Sequence, residues 1–354
     1  MYRIGVIPGD GIGPEVVREG LRVLASIASI RGFTYELLSY PFGAQHYLET
    51  GELIPERVWP ELRALDAILF GAGGDPRVPP GVIEVDLILA LRYGLDAYVN
   101  LRPIRLYAEH LCPIKSKRPA DVDFTFVREN TEDAYPIPGG FFKKGTEDEV
   151  AIGGLIYTRK GVERSARYSF ALARRRRHRV TLVHQANAIK SHEIWTRVVA
   201  EVAAEFLDVE LDYEHPDSAA MRMIQNPEHF DVVLTPNYIG GILTDLGAVL
   251  QGGLGMSASG SIHPGRTSMF EPVHGSAPKY AGRNVANPIA TIGSIALLLD
   301  HVGEAEGARL LDEAIVRAAQ QLPSARADSG WSTTQIGDLV ITELEAGATH
   351  DPPS

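Results

Sequence analysis

Arg92 and Arg102 stand ten residues apart in LRYGLDAYVNLRP, one within a helical pattern and the other ending a short apolar run. Each guanidinium is a planar fork that can grip a carboxylate through two parallel hydrogen bonds, so a fixed pair suits an acid with more than one carboxylate. A solvated surface position is the ordinary alternative for either arginine alone. A second kind of chemistry is written in Phe270 to Pro288, FEPVHGSAPKYAGRNVANP. Its Gly, Pro and Ala content excludes one continuous helix or strand and predicts an ordered loop. His274, Gly275, Ser276 and Ala277 place a ring, a bare backbone, a hydroxyl and a small side chain together. That combination lets the phosphates, ribose and base of a nucleotide come close, although a plain structural loop can have the same composition.

The elements that must position these residues can be read from periodicity. Tyr2 to Ile7 is an apolar run suited to a buried strand, and it leads into PGDGIGPE at residues 8–15. Pro14 is placed to open a helix over Glu15 to Ile30, with Gly11 and Gly13 permitting close approach. This is not the G-x-G-x-x-G fingerprint of a Rossmann domain, and a simple turn and helix cap reads equally well. A strand over Ala67 to Phe70 ends in a Gly-rich turn. Val82 to Tyr93 follows as a helix whose residues Val85, Ile88, Leu89 and Arg92 share one face. Further strands are expected at 97–101, 123–128, 179–183, 209–213 and 230–234, and helices at 162–173, 193–206, 289–301 and 303–322. Two short apolar pieces around an acidic turn, within residues 137–157, have the signature of a hairpin. The basic run Arg174 to Arg179 reads as a solvated last helical turn favoured by the helix dipole. Alternating strands and helices make this an α/β chain.

A length of 354 residues allows two domains with a large buried core. A net charge of -11 argues against nucleic acid as the main partner. Cys112 is the single cysteine, which excludes an intrachain disulfide and fits a reducing compartment. No long uncharged apolar run and no signal-peptide pattern appears, so no membrane association and a cytoplasmic location are expected.

PGDGIGPE, LRYGLDAYVNLRP, VRENTEDAY and HGSAPKY, spread from residue 4 to about 300, resemble the β-decarboxylating dehydrogenases. That family comprises isopropylmalate, isocitrate, homoisocitrate, tartrate and D-malate dehydrogenases. The resemblance implies a two-domain isopropylmalate/isocitrate dehydrogenase-like fold with an interrupted first domain. Residues 1–99 and 252–346 would form a cofactor-side domain and 100–251 a substrate and dimerisation domain, with a β arm at 137–157 that makes a homodimer. Residues 347–354 read as a loose tail. It further implies that Arg92, Arg102 and Arg128 clamp the carboxylates of a hydroxy-dicarboxylate, and that Val85, Ile88 and Leu89 line its side-chain pocket. Tyr135 would protonate the product after CO2 leaves, since a phenol can stay neutral until it donates. NAD or NADP would meet Ile12, at the nicotinamide end, and Glu271, His274, Gly275, Ser276, Ala277, Lys279, Tyr280 and Asn287. Mg²⁺ or Mn²⁺ would be held by Asp217 and Asp245.

The chain departs from the family pattern at three places. Gln185 stands where the family has a proton-transferring lysine, and glutamine cannot take up that proton. Lys190, about 140° further round a helix, is a poor substitute. Gly241 stands where the family has a third metal aspartate, one helical turn before Asp245. Lys279-Tyr280 replaces the aspartate-isoleucine pair of NAD-using members; a cation and a phenol suit a 2′-phosphate, which favours NADP. Two alternatives to ordinary dehydrogenase turnover follow from Gln185 and Gly241. One is altered, non-oxidative chemistry; the other is a non-catalytic binding or regulatory role, possible beside a catalytic paralogue.

Overall fold

The computed structural model describes residues 1–136 and 139–350. The chain forms two compact units: Met1–Ala97 with Arg102–Val122 and the residues from Ala248 onward, and Tyr98–Leu101 with Asp123–Gly247. Residues 102–122, expected with the substrate domain, belong to the first unit. They are tied there by a 2.9 Å hydrogen bond from the Arg105 amide to the Gln251 side chain and by His110 Nε2, 2.6 Å from the Leu322 carbonyl oxygen.

In the first unit the strands run in the order Tyr35–Ser39, Tyr2–Gly9, Ala67–Ala72, Ser268–Pro272, Ala258–Ile262. Pairing is parallel except between the last two. Every residue of Ala67–Ala72 is buried, as a parallel strand covered on both faces requires, and this explains its unbroken apolar run. The helix Gly13–Arg31 follows the first strand directly, with proline in its first turn and Gly32 in the left-handed conformation at its end. The second unit orders its strands Asp123–Glu129, Val232–Thr235, Arg179–Val183, Glu210–Glu214, all parallel. Val99–Arg105 is one strand whose residues divide between the two units. The fold is therefore α/β with parallel pairing throughout most of its sheet structure.

Within the second unit Gly140–Phe142 pairs antiparallel with Val150–Ile152, forming the expected hairpin; Ile137 and Pro138 of the expected arm lie outside the described residues. Three sequence expectations need correction. The helix over 82–93 is a π-helix, Glu84–Leu89, followed by a short α-helix, Ala90–Gly94. Its i→i+5 turns re-phase the side chains, so Leu87 and Leu91 enter the core while Val85 is exposed. The basic run is only in part a solvated turn: Arg174, Arg175, Arg177 and His178 are exposed as expected, whereas Arg176 is half-buried between Asp123 and Asp231, and Arg174 and Arg179 pair at the surface with Asp208 and Glu210. Finally, a helix absent from the sequence reading spans Thr333–His350 and takes in residues 347–350 of the expected tail; residues 351–354 lie outside the described ones.

Candidate active site

The Gly-rich turn after the first strand is shaped by backbone contact. Gly9 and Gly11 have φ of 68° and 59°, and a Cβ at Gly11 would lie 2.0 Å from the Ser276 carbonyl oxygen. Only glycine fits there. The next amide, Ile12 N–H, donates to that same carbonyl at 2.9 Å, which fastens the turn to the 273–288 loop. Glu15, buried in the first helical turn, accepts from the Asn284 amide at 2.9 Å and from the Gly282 amide. From the other side Thr333, opening the unanticipated helix, donates its hydroxyl to the Ala286 carbonyl at 2.7 Å. The loop is thus held at both flanks, as ordered as its composition predicts, although its first residues, up to Pro272, belong to a strand.

These ties shape a cavity of about 600 Å³ in the first unit, lined by Ile12, His274, Ala277, Tyr280, Ala286 and Asn287 together with Leu254, Gly255 and Arg326. Ile12, expected at the nicotinamide end, shares this cavity with Tyr280 because its amide is fixed to Ser276; it packs against Val16 and Ala286. The His274 Nδ1 lies 3.0 Å from the Gly275 carbonyl oxygen and so carries the proton, leaving Nε2 as an acceptor. That Nε2 is buried without a hydrogen-bond partner among the described residues, and burial holds the ring pKa below its ordinary value. An unfilled acceptor on a neutral ring is what a nucleotide's amino or hydroxyl group would satisfy. Lys279 Nζ lies 4.7 Å from the Tyr280 ring centroid and the Arg283 guanidinium 5.7 Å from it, so two cations flank this phenol. Asn287 turns inward instead: its amide donates to the Ala325 carbonyl at 3.1 Å and accepts from Ile289 N at 3.0 Å. Residues 110–113 complete one wall, including Cys112, whose thiol pKa burial raises. Nothing local in the sequence marks 110–113; their place comes from the path of the chain.

A smaller cavity of about 130 Å³ in the same unit brings Ile88, Arg92, Arg102, Glu271, His274 and Gly275 together. Both arginines are buried, and Arg92 donates to Glu271 Oε1 at 2.9 Å. Glu271, placed with the cofactor residues by resemblance, therefore has a protein partner. Of the three apolar residues expected near the arginines, Ile88 lines this cavity; Val85 is exposed and Leu89 half-buried, since the π-helix turns them away.

In the second unit Arg128 is buried and its Nε donates to both oxygens of Asn237, at 2.8 Å to the carbonyl and 3.0 Å to the side chain. Its guanidinium lies 5.9 Å from the Tyr135 ring centroid, and a Cβ on Gly241 would stand 3.2 Å from one of its terminal nitrogens. Arg128, Tyr135 and Gly241 are therefore neighbours. Gln185 donates its side-chain amide to Asn187 at 3.1 Å, and Lys190 is an exposed partner of Glu193. Asp217 and Asp245 are exposed on the helices Pro216–Gln225 and Asn237–Leu250. Among the described residues the one cluster of three metal-competent side chains is Asp212, Glu214 and His229, where neither aspartate belongs. Arg222 donates to Glu214 at 2.8 Å there, and the group is an ion-pair network.

Comparison with known proteins agrees with this architecture. The family profile described as isocitrate/isopropylmalate dehydrogenase matches residues 3–340. The chain is 50% identical over 348 residues to the 3-isopropylmalate dehydrogenase of Thermobifida fusca, covering 97% of each chain. It is 49% identical over 329 residues to that of Frankia casuarinae, covering 92% of this chain and 94% of the other. Among solved structures, isocitrate dehydrogenase from Methylococcus capsulatus superposes with a TM-score of 0.87 at 32% identity, over 97% of this chain and 99% of the other. A β-decarboxylating dehydrogenase from Thermococcus kodakarensis gives 0.79 at 34% identity, over 98% and 97%. With a profile match across nearly the whole chain, relatives near 50% identity and the same α/β fold, the chain belongs to the isocitrate/isopropylmalate dehydrogenase family and is a β-decarboxylating oxidoreductase.

Proposed function

We propose that this chain oxidatively decarboxylates a malate-type 2-hydroxy acid bearing a small apolar substituent, of the 3-isopropylmalate kind, with NADP as cofactor. The observation that carries this reading is the cavity shared by Arg92, Arg102 and Ile88 beside His274 and Gly275. Two buried guanidiniums suit two carboxylates, and one aliphatic side chain suits an alkyl group. When bound, the nicotinamide supplies the hydride acceptor, and a divalent cation on Asp217 and Asp245, both hard oxygen donors, supplies charge neutralisation. Arg92 and Arg102 orient the acid. Arg128, held by Asn237, offers a further carboxylate contact. Tyr135 beside it gives a proton to the carbon that has lost CO2. Gln185 can hydrogen-bond the hydroxyl but accepts no proton from it, so that proton passes to water.

Steady-state NADPH and NADH formation with Mg²⁺ or Mn²⁺ across isopropylmalate, D-malate, tartrate, isocitrate and homoisocitrate tests the reading. Turnover of an alkyl-substituted malate with NADP supports it. A protein that binds the acid and cofactor but forms neither NADPH nor NADH supports the second reading, a homologue with non-oxidative chemistry or a binding role. Gln185 and Gly241 are the specific observations that keep that reading in view.

The 2′-phosphate assignment predicts that Lys279→Asp weakens NADP binding about 10–100-fold and leaves NAD binding nearly unchanged, the loss expected for one charge-assisted contact. Fluorescence titration of both cofactors reads this directly. Equal losses for the two would remove Lys279 from the phosphate site.

A homodimer is part of the same proposal. Phe141, Phe142 and Ile152 of the hairpin are each at least 60% exposed, too much apolar surface for so small an element to leave in water. Met221 and Ile224 share a helical face with Asp217, and Tyr238, Ile242 and Val249 share one with Asp245; all five are exposed. Metal-side carboxylates on uncovered apolar faces fit sites completed by a second copy. Phe142→Asp combined with Ile152→Asp is expected to give a monomeric mass by sedimentation at micromolar concentration, where the parent sediments as a dimer.

A further inference from the structure

From the backbone of Gln185 the second unit contains a line of buried and half-buried polar groups. Gln185 N–H donates to His192 Nδ1 at 3.1 Å, and His192 Nε2 lies 2.9 Å from the Tyr157 hydroxyl. His192 is only 1% exposed, and burial lowers its pKa to about 4, so the ring is neutral near pH 7. A neutral imidazole whose Nδ1 accepts from an amide must carry its proton on Nε2. That proton is donated to the Tyr157 oxygen, and the phenolic O–H must then point elsewhere. Asp133 provides the target. Its Oδ2 accepts the Tyr238 amide at 2.9 Å, and its buried Oδ1 has no hydrogen-bond partner among the described residues, which leaves an acceptor for the neighbouring Tyr157 hydroxyl. Burial, and then the neighbouring Asp133 carboxylate, raise the Tyr157 pKa far above the ordinary phenol value, so the hydroxyl remains a donor.

We propose that His192 is a positioning residue: with Tyr157 and Asp133 it forms a one-directional hydrogen-bond chain that ties the backbone of Gln185 to the first turn of the helix Asn237–Leu250. Every donor direction is fixed: Gln185 to His192, His192 to Tyr157, Tyr157 to Asp133, with Tyr238 donating to Asp133 from the far end. The first member is a backbone amide, which cannot surrender its proton, so the chain transmits geometry and not protons. The geometry it sets is that of position 185 and of the helix start that holds Arg128 through Asn237 and carries Gly241 and Asp245. Its weight in catalysis rests on the dehydrogenase reading above; the hydrogen-bond chain itself does not.

The test uses the full-length protein and needs no substrate. In protein labelled with ¹⁵N-histidine, His192 is expected as the Nε2–H tautomer at neutral pH. Tyr157→Phe keeps the ring but removes the acceptor of that proton. It is expected to populate the Nδ1–H tautomer and to speed amide exchange at Gln185 about tenfold, the scale of one net hydrogen bond. His192→Ala should give a similar increase at Gln185, and His192→Asn, whose carbonyl can take the place of Nδ1, should restore most of the protection. A purely local packing role predicts no change at Gln185 when only the Tyr157 hydroxyl is removed. The Nδ1–H tautomer in the parent, or unchanged Gln185 exchange in Tyr157→Phe, overturns the proposal. Both measurements remain decisive if His192→Ala does not fold. For a protein with turnover, Tyr157→Phe is expected to lower kcat and leave the KM for NADP unchanged, because the cofactor cavity is lined by the other unit.

Discussion

The double variant Gln185→Lys/Gly241→Asp is expected to form reduced cofactor about 10²–10⁴-fold faster than the parent on the same acid, the range over which a positioned general base acts. The structure explains why the two changes belong together. Gly241 presents bare backbone to Arg128, and an aspartate Cβ there would stand 3.2 Å from a terminal guanidinium nitrogen. Gly241→Asp alone therefore places a carboxylate against the arginine expected to hold substrate, and acid binding should weaken unless a divalent cation draws that carboxylate away. Gln185→Lys alone restores a group able to accept the hydroxyl proton but leaves the proposed metal donors at Asp217 and Asp245. Rates for the parent, both single variants and the double variant, each titrated with Mg²⁺, separate the contributions. A double variant no faster than the parent would show that the parent's chemistry does not depend on these two positions.

Glu271→Ala is expected to destabilise the protein by roughly 3–5 kcal/mol, read as a lower midpoint in urea denaturation with an unchanged slope. Arg92 and Glu271 form a pair at 2.9 Å with side chains 10% and 8% exposed. Removing the carboxylate leaves a buried guanidinium, which is the costly half of breaking such a pair. Replacing both members, as Arg92→Met/Glu271→Leu, should recover most of the loss while abolishing acid binding, because one side chain contributes both to stability and to the proposed substrate clamp. A loss below about 1 kcal/mol for Glu271→Ala would mean that water replaces the carboxylate and the pair is not structurally important.

Much of this arrangement was legible because it depends on short sequence signals. The strand, turn and helix at the start of the chain could be read from an apolar run, Gly11 and Pro14, and the 273–288 loop from its Gly and Pro content. What stayed hidden has physical causes. The π-helix over Glu84–Leu89 leaves no periodic trace, since spacings of 3 and 4 describe an α-helix and cannot register one wider turn. The pairing of Arg92 with Glu271 joins residues 179 apart, and nothing near either one announces it. The helix Thr333–His350 did carry a signal: Ile336, Val340 and Leu344 recur every four residues and are all buried. Gly337 and Gly347 weakened that pattern. Gly337 is explained by Glu19, whose carboxylate oxygen would lie 2.5 Å from any Cβ there. The ion pairs of the basic run at Arg174–Arg179 were not legible because its acidic partners, Asp123, Asp208, Glu210 and Asp231, are distant in sequence.

Cys112 gives the proposed cofactor cavity a consequence of another kind. It is the chain's single thiol, it lies half-buried in the lining of the cavity that Tyr280 also lines, and burial raises its pKa, which slows alkylation at neutral pH. The unmodified protein therefore carries one intrinsic reporter of site occupancy. Its labelling rate with a maleimide dye at mildly alkaline pH, with and without dinucleotide, turns binding into a stoichiometric optical readout that requires neither turnover nor an engineered handle.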